Sequence, residues 1–152
     1  MDADGRLDRF KGEGLGFGYR HSDILATDIV LSANLKLKRA DQEVVAAATE
    51  KYFNEKKASQ PISERSAGSV FKNPEGNSAG RLIDEAGCKG LRAGDIEVSS
   101  AHANFFVNRG AGTAADYLEL MDRVASIVSK RFGTALEPEI RVVGTVQGEL
   151  NG

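Results

Sequence analysis

The chain has 152 residues, of which 41% are hydrophobic and 28% charged, with a formal net charge of -2. That length holds one domain, or a small domain with part of a second, and the composition is that of an ordinary globular protein. The near-balanced charge gives no basic field for nucleic acid or membrane headgroups, no apolar run is long enough to span a bilayer, and no signal-like core opens the chain, so a cytoplasmic address is expected.

The first 18 residues are rich in turn formers. Asp4-Gly5 suits a hairpin turn, and Gly12, Gly14, Gly16 and Gly18 alternate with other residues. These glycines lack the strand before and the helix after that a dinucleotide fingerprint needs, so no Rossmann-type phosphate site is expected. The chain reads as if it begins partway through a sheet. After the polar cluster Tyr19-Arg20-His21-Ser22, residues 29–37 place Ile29, Leu31, Ala33, Leu35 and Leu37 on one face and Val30, Ser32, Asn34 and Lys36 on the other. Period two predicts a strand with one buried face.

Asp41 can cap a helix in which Val44, Val45, Ala48 and Tyr52 share a face, running to about Lys57. Residues 58–65, with Gln60-Pro61 and two serines, read as a polar connector. Residues 66–74 then carry a hydroxyl beside Gly68, a cation, an amide and Pro74. Gly68 permits a tight turn beside Ser69, and Pro74 biases Asn73 away from helix. Such a rigid segment suits an anionic, oxygen-rich ligand; the alternative is a surface turn facing water.

Ser78 can cap a short helix burying Leu82, Ile83 and Ala86 and stopped by Gly87, with residues 89–94 as loop. Cys88, the only cysteine, can form no intrachain disulfide and lies outside any metal-ligand cluster, so it reads as a packed residue and no metal site is expected. Residues 96–98 and 105–107 read as strands. His102 between them tempts as a general base, but reads as a hydrogen-bonded structural histidine. Thr113 and Asp116 form a capping-box-like start for a helix with Tyr117, Leu118, Met121, Val124, Ala125, Val128 and Phe132 on its apolar side, closed by Gly133. A final strand is expected at 140–143, with a polar tail from residue 145. Helices and strands mix without a βαβ cadence, so the fold class is α+β.

Several separated stretches, taken in order, resemble one family. They are Gly18-Tyr19-Arg20-His21-Ser22, Gln60-Pro61, the run from Ala67 through Ser69 to Pro74, the run from Ala79 to Gly87, Lys89-Gly90, Val98-Ser99, His102-Ala103-Asn104-Phe105, Val107-Asn108 and the run from Leu136 to Arg141. Together they are similar to the C-terminal half of the UDP-N-acetylenolpyruvoylglucosamine reductases. The resemblance implies a substrate-binding C-terminal domain plus the trailing edge of an FAD-binding subdomain. On that reading 1–40 are the FAD-subdomain remnant, 41–147 the substrate domain and 148–152 a disordered tail. It implies FAD, held mostly by a separate or upstream half, NADPH as hydride donor, and UDP-N-acetylglucosamine enolpyruvate as substrate. Nucleic acid and membranes are not among the expected partners.

By the same resemblance Ser69 is the proton donor, Arg20 faces the substrate carboxylate, and Glu139 sits near that carboxylate or enol with a carboxyl kept protonated by desolvation. Asn73 binds substrate, and Lys72 adds positive potential near the diphosphate. No long insertion separates the helix ending near Lys57 from Ser69, so the chain resembles the family's shorter version. The runner-up reading is a truncated, non-catalytic nucleotide-sugar-binding module.

Overall fold

The computed structural model describes residues 1–144, so the expected tail from residue 145 lies outside the described residues. The backbone divides into two units, Met1–Gln42 and Glu43–Gly152, and the connector around residue 60 falls inside the second.

In the first unit Asp2 organises a turn through Asp4 and Gly5: its carboxylate accepts from Asp4 N at 3.0 Å and Arg6 N at 2.8 Å. The alternating glycines form a short 3-10 turn at Gly12–Gly14. The strand expected at 29–37 is not formed. Ile29, Leu31, Leu35 and Leu37 are exposed; Ile29 exchanges backbone hydrogen bonds with Met1, but no ladder continues along the stretch. Alternation specifies which face a strand would bury, but the backbone still needs a neighbouring strand to accept its hydrogen bonds.

The second unit is α+β, as the sequence pattern implied. Helix α1 (Gln42–Ser59) comes first and buries none of its residues; Val44, Val45, Tyr52 and Phe53 are all more than half exposed. The expected apolar face exists but stays exposed. The helix therefore rests on propensity and on local pairs such as Lys51–Glu55.

Strands β1 (Ser66–Ser69), β2 (Arg92–Ala93), β3 (Ile96–Val98) and β4 (Phe105–Asn108) form one antiparallel sheet in the order β1-β4-β3-β2. Strands β3 and β4 fall where the sequence placed them. The sequence pattern predicts neither β1 nor β2: it gives 66–74 as a turn-borne segment and 89–94 as loop. Both are short and poor in β-branched residues, and their partners supply the pairing. Helix α2 (Ala79–Glu85) starts at Ser78, whose hydroxyl accepts from Arg81 N at 3.4 Å, and gives way to Gly87 at φ +77°. Helix α3 (Ala114–Phe132) packs on β2, β3 and α2.

The core is built from Val70 and Phe71, Leu82 and Ile83 of α2, Ile96 and Val98 of β3, Phe106 of β4, and Leu120, Met121, Val124 and Val128 of α3. Phe71 meets Phe106 edge to face at 6.2 Å. Both ends of α3 match expectation. Thr113 Oγ1 accepts from Asp116 N, the Asp116 carboxylate accepts from Thr113 N, and Gly133 closes the helix at φ +66°. Thr113→Ala should cost about 1 kcal/mol through loss of that cap. Urea unfolding checks it: the midpoint falls with no change in slope.

The strand expected at 140–143 is displaced. Pairing with the chain beyond β1 occurs three residues earlier, where Phe71 bridges Pro138, Lys72 N donates to Glu137 O and Glu139 N donates to Val70 O, both at 2.8 Å. Continuing it would align 140–143 with β1, but β1 carries a register shift between Ser66 and Ser69 and places Gly68 at φ +85°. That bulge turns the edge out of the pleat a further strand would need.

Candidate active site

Ser69 ends β1, opposite Phe105 of β4, and is half-buried. The next three residues are held from both sides. Val70 N donates to the Asn104 backbone carbonyl at 2.9 Å, and Val70 O accepts from Glu139 N. Phe71 N donates to Asn104 Oδ1 at 3.0 Å, while Asn104 Nδ2 donates to Phe71 O at 2.8 Å. Lys72 N donates to Glu137 O. The amides of 70, 71 and 72 are thus all committed to the protein. They are not available to stabilise charge on the serine oxygen.

The same connections bring Glu139 to the Ser69 segment: its amide is bonded to the residue next to Ser69, and it is half-buried. Lys72, expected to raise the potential near a diphosphate, forms an ion pair with Glu137. Asn73 accepts from Ala79 N at 3.0 Å through its side-chain oxygen, which ties the end of this segment to the start of α2. Ser69, Lys72, Asn73 and Glu139 therefore share one short stretch of structure.

Arg20 belongs to the first unit. It sits in a tight turn in which Gly18 and His21 exchange backbone hydrogen bonds, at φ +53°. Among the described residues it is the only non-glycine residue with positive φ, and its guanidinium lies over the Tyr19 ring at 5.5 Å. Left-handed backbone at a non-glycine residue costs free energy and recurs at functional positions.

Asn104, part of the His102-Ala103-Asn104-Phe105 motif, is buried and serves as a strand partner for Phe71. Only the three-dimensional return of β4 reveals that role. His102 matches its structural reading: Nδ1 accepts from Asn104 N at 3.2 Å and the ring packs edge-on against Phe105 at 4.8 Å. Burial disfavours the imidazolium and holds its pKa below the ordinary value. The folded state then binds fewer protons than the unfolded state, so the His102 contribution is intact above about pH 6.5 and declines as pH falls below it. Urea midpoints between pH 7.5 and 5.5 test this: His102→Gln should flatten the parent's slope by at most about 1.4 kcal/mol per pH unit. Equal slopes would count against it.

Further from this segment, Glu97 of β3 is buried between Arg92 and Arg109, and the Arg109 hydrogen bond holds its carboxyl below the ordinary range. Arg109 also pairs with Glu64. A mostly apolar groove of about 480 Å³ runs between the start of β1, the start of α3 and residues 140–143, and its walls include none of Ser69, Lys72, Asn73 or Glu139. Burial pushes Cys88 up from its ordinary thiol pKa.

Residues 60–143 match the family model described as UDP-N-acetylenolpyruvoylglucosamine reductase, C-terminal domain. The chain belongs to this reductase family. It is 47% identical over 143 residues to UDP-N-acetylenolpyruvoylglucosamine reductase 2 of Symbiobacterium thermophilum, covering 93% of this chain and 46% of that protein. A reductase of the same name from Heliobacterium modesticaldum is 43% identical over 154 residues, covering 100% of this chain and 49% of the relative. The crystal structure of UDP-N-acetylenolpyruvylglucosamine reductase from Thermus caldophilus superposes with a TM-score of 0.77 at 44% identity, over 91% of this chain and 49% of that one. The chain thus spans about half the length of the curated relatives it matches. What it carries is the C-terminal domain of an oxidoreductase family.

A flavin needs a recessed cradle of backbone donors and apolar walls. The first unit does not build one: none of residues 1–42 is buried, and the glycine run makes a 3-10 turn with no helix N-terminus behind it. The described residues of this unit do not fit the group. Among the described residues no cluster of His, Cys, Asp and Glu is arranged to hold a metal ion, and no helix is long and apolar enough to cross a membrane.

Proposed function

We propose that the chain is the substrate-side portion of a reductase that converts UDP-N-acetylglucosamine enolpyruvate to UDP-N-acetylmuramate, a cytoplasmic step of peptidoglycan synthesis. Residues 1–40 would be the remnant of an FAD-binding subdomain and 41–147 the substrate domain. FAD, carried by a separate or upstream half, would supply the hydride chemistry, with NADPH as the source of the hydride.

Hydride addition to the terminal carbon of the enolpyruvyl ether leaves negative charge on the neighbouring carbon and its carboxylate. That charge must be stabilised as it develops, and the carbon must then be protonated. Ser69 would give the proton. Arg20 would bond both oxygens of the carboxylate with its planar fork. Glu139 would lie near the same carboxylate or enol. Asn73 would bind the nucleotide sugar, and Lys72 would act toward the diphosphate once it exchanges Glu137 for the ligand.

The observation that carries this reading is the attachment of Ser69 and Glu139 to one residue, Val70, which puts a hydroxyl-bearing and a carboxyl-bearing residue on one rigid piece of backbone. The positive φ of Arg20 supports it independently. The second reading is a non-catalytic nucleotide-sugar-binding module, for which Asn73 and Lys72 on the Ser69 segment would suffice. Joining the chain to the flavin-carrying half of a relative separates the two. The enzyme reading expects NADPH oxidation only when the enolpyruvyl sugar is present, whereas ligand binding without NADPH oxidation would favour the module.

A further inference from the structure

The segment after Ser69 meets an unusual boundary. Strand β4 pairs with β1 only as far as Ser69, opposite Phe105, and then turns away through Asn104. Beyond that point Val70 uses the Asn104 backbone, and Phe71 has no strand residue facing its N–H and C=O. The Asn104 carboxamide takes that place, accepting from Phe71 N and donating to Phe71 O. Asparagine suits this because its side chain offers a donor and an acceptor in one plane, as a peptide group does. The pair is buried, so losing either bond would leave an unsatisfied backbone group. On the other side of Phe71, Pro138 forms the bridge, and the donors there are Lys72 N and Glu139 N, so the missing proline N–H is not needed.

We infer that Asn104 is a positioning residue: its carboxamide acts as a substitute strand partner that fixes Phe71, and through Phe71 sets both the Ser69 hydroxyl and the Glu139 attachment at Val70. It need not touch substrate. Ser69 sits between the bulge at Gly68 and this clamp, so the clamp, together with the Val70 bonds to Asn104 O and Glu139 N, limits its freedom on the C-terminal side. The catalytic part of this inference rests on the function proposed above; the clamp itself does not.

Two measurements test it. In the 152-residue chain, amide hydrogen exchange in Asn104→Ala should speed at Val70, Phe71 and Lys72 by about tenfold or more, with the amides of α3 near the parent rate. In the reductase completed with the flavin-carrying half, Asn104→Asp should lower kcat about tenfold to a hundredfold at neutral pH, with KM within about twofold of the parent. The carboxylate keeps the bond from Phe71 N but cannot donate to Phe71 O. A protonated carboxyl restores both bonds, so the ratio of variant to parent activity should rise as pH falls. Loss of folded protein alone would also lower apparent kcat at unchanged KM and recover on protonation, so kcat is taken per folded molecule, from the circular dichroism of the same samples; a purely structural role leaves that value at the parent level. Unchanged exchange at 70–72, or Asn104→Asp activity equal to the parent, overturns the inference. If the completed parent itself shows no NADPH oxidation, the functional reading fails, and the exchange experiment alone decides for or against the clamp.

Discussion

Ser69→Ala in the completed reductase is expected to lower turnover by about a hundredfold to ten-thousandfold, the range for loss of a positioned acid. Hydride delivery should stay near the parent rate while protonation becomes the slow step. The surroundings explain why no neighbour would take over. The three amides that follow Ser69 are bonded to Asn104 and Glu137, and the Lys72 ammonium is paired with Glu137. A single-turnover quench that follows loss of the enolpyruvyl ether and appearance of protonated product separately checks the prediction. Equal turnover in parent and variant would remove Ser69 from the mechanism.

Arg20→Lys is expected to cost about a hundredfold to a thousandfold in kcat/KM, comparable to removing one donor that acts on developing charge. The substitution keeps the positive charge but loses the planar, two-pronged contact with a carboxylate. Lysine would inherit the same left-handed backbone at φ +53°, so the fold of the turn is not the variable. Arg20→Gly makes the complementary control. Glycine relieves the backbone cost and should stabilise the turn, yet activity should fall at least as far as in the lysine variant. Steady-state kinetics on both variants, with thermal unfolding alongside, separate the guanidinium's chemistry from its conformational cost. A near-normal rate for Arg20→Lys would contradict the assignment.

Where local chemistry decides, the sequence was readable. The capping box at Thr113 and Asp116, the glycine stop at Gly133 and the Ser78 start of α2 each depend on residues within four positions of one another, and each is where the pattern put it. Strands β3 and β4 were legible because apolar runs of that length have few other fates. What failed depends on distant partners. Residues 29–37 have the alternation of a strand, but the pairing of Ile29 with Met1 does not continue into a ladder, and 140–143 lost their pairing to the bulge at Gly68.

The candidate site divides in the same way. Its residue types were visible as motifs, and the resemblance of those motifs assigned roles to Ser69, Arg20, Glu139, Asn73 and Lys72. The links among them were not visible. Nothing within a few residues of Asn104 signals that its side chain completes the backbone pairing of Phe71, thirty-three positions away. Nor does the Leu136 to Arg141 stretch announce that Glu139 N will reach Val70 O. Non-local hydrogen bonds of this kind follow from topology, and topology is settled by the whole core.

The most direct test of this account is a crystal structure of the completed protein with UDP-N-acetylglucosamine enolpyruvate bound. The Ser69 oxygen should lie about 3–3.5 Å from the carbon that carries the carboxylate, within reach for proton transfer, and the Glu139 side chain should border that same group. An enolpyruvyl moiety seated elsewhere, with Ser69 and Glu139 both beyond hydrogen-bonding range of it, would contradict the account.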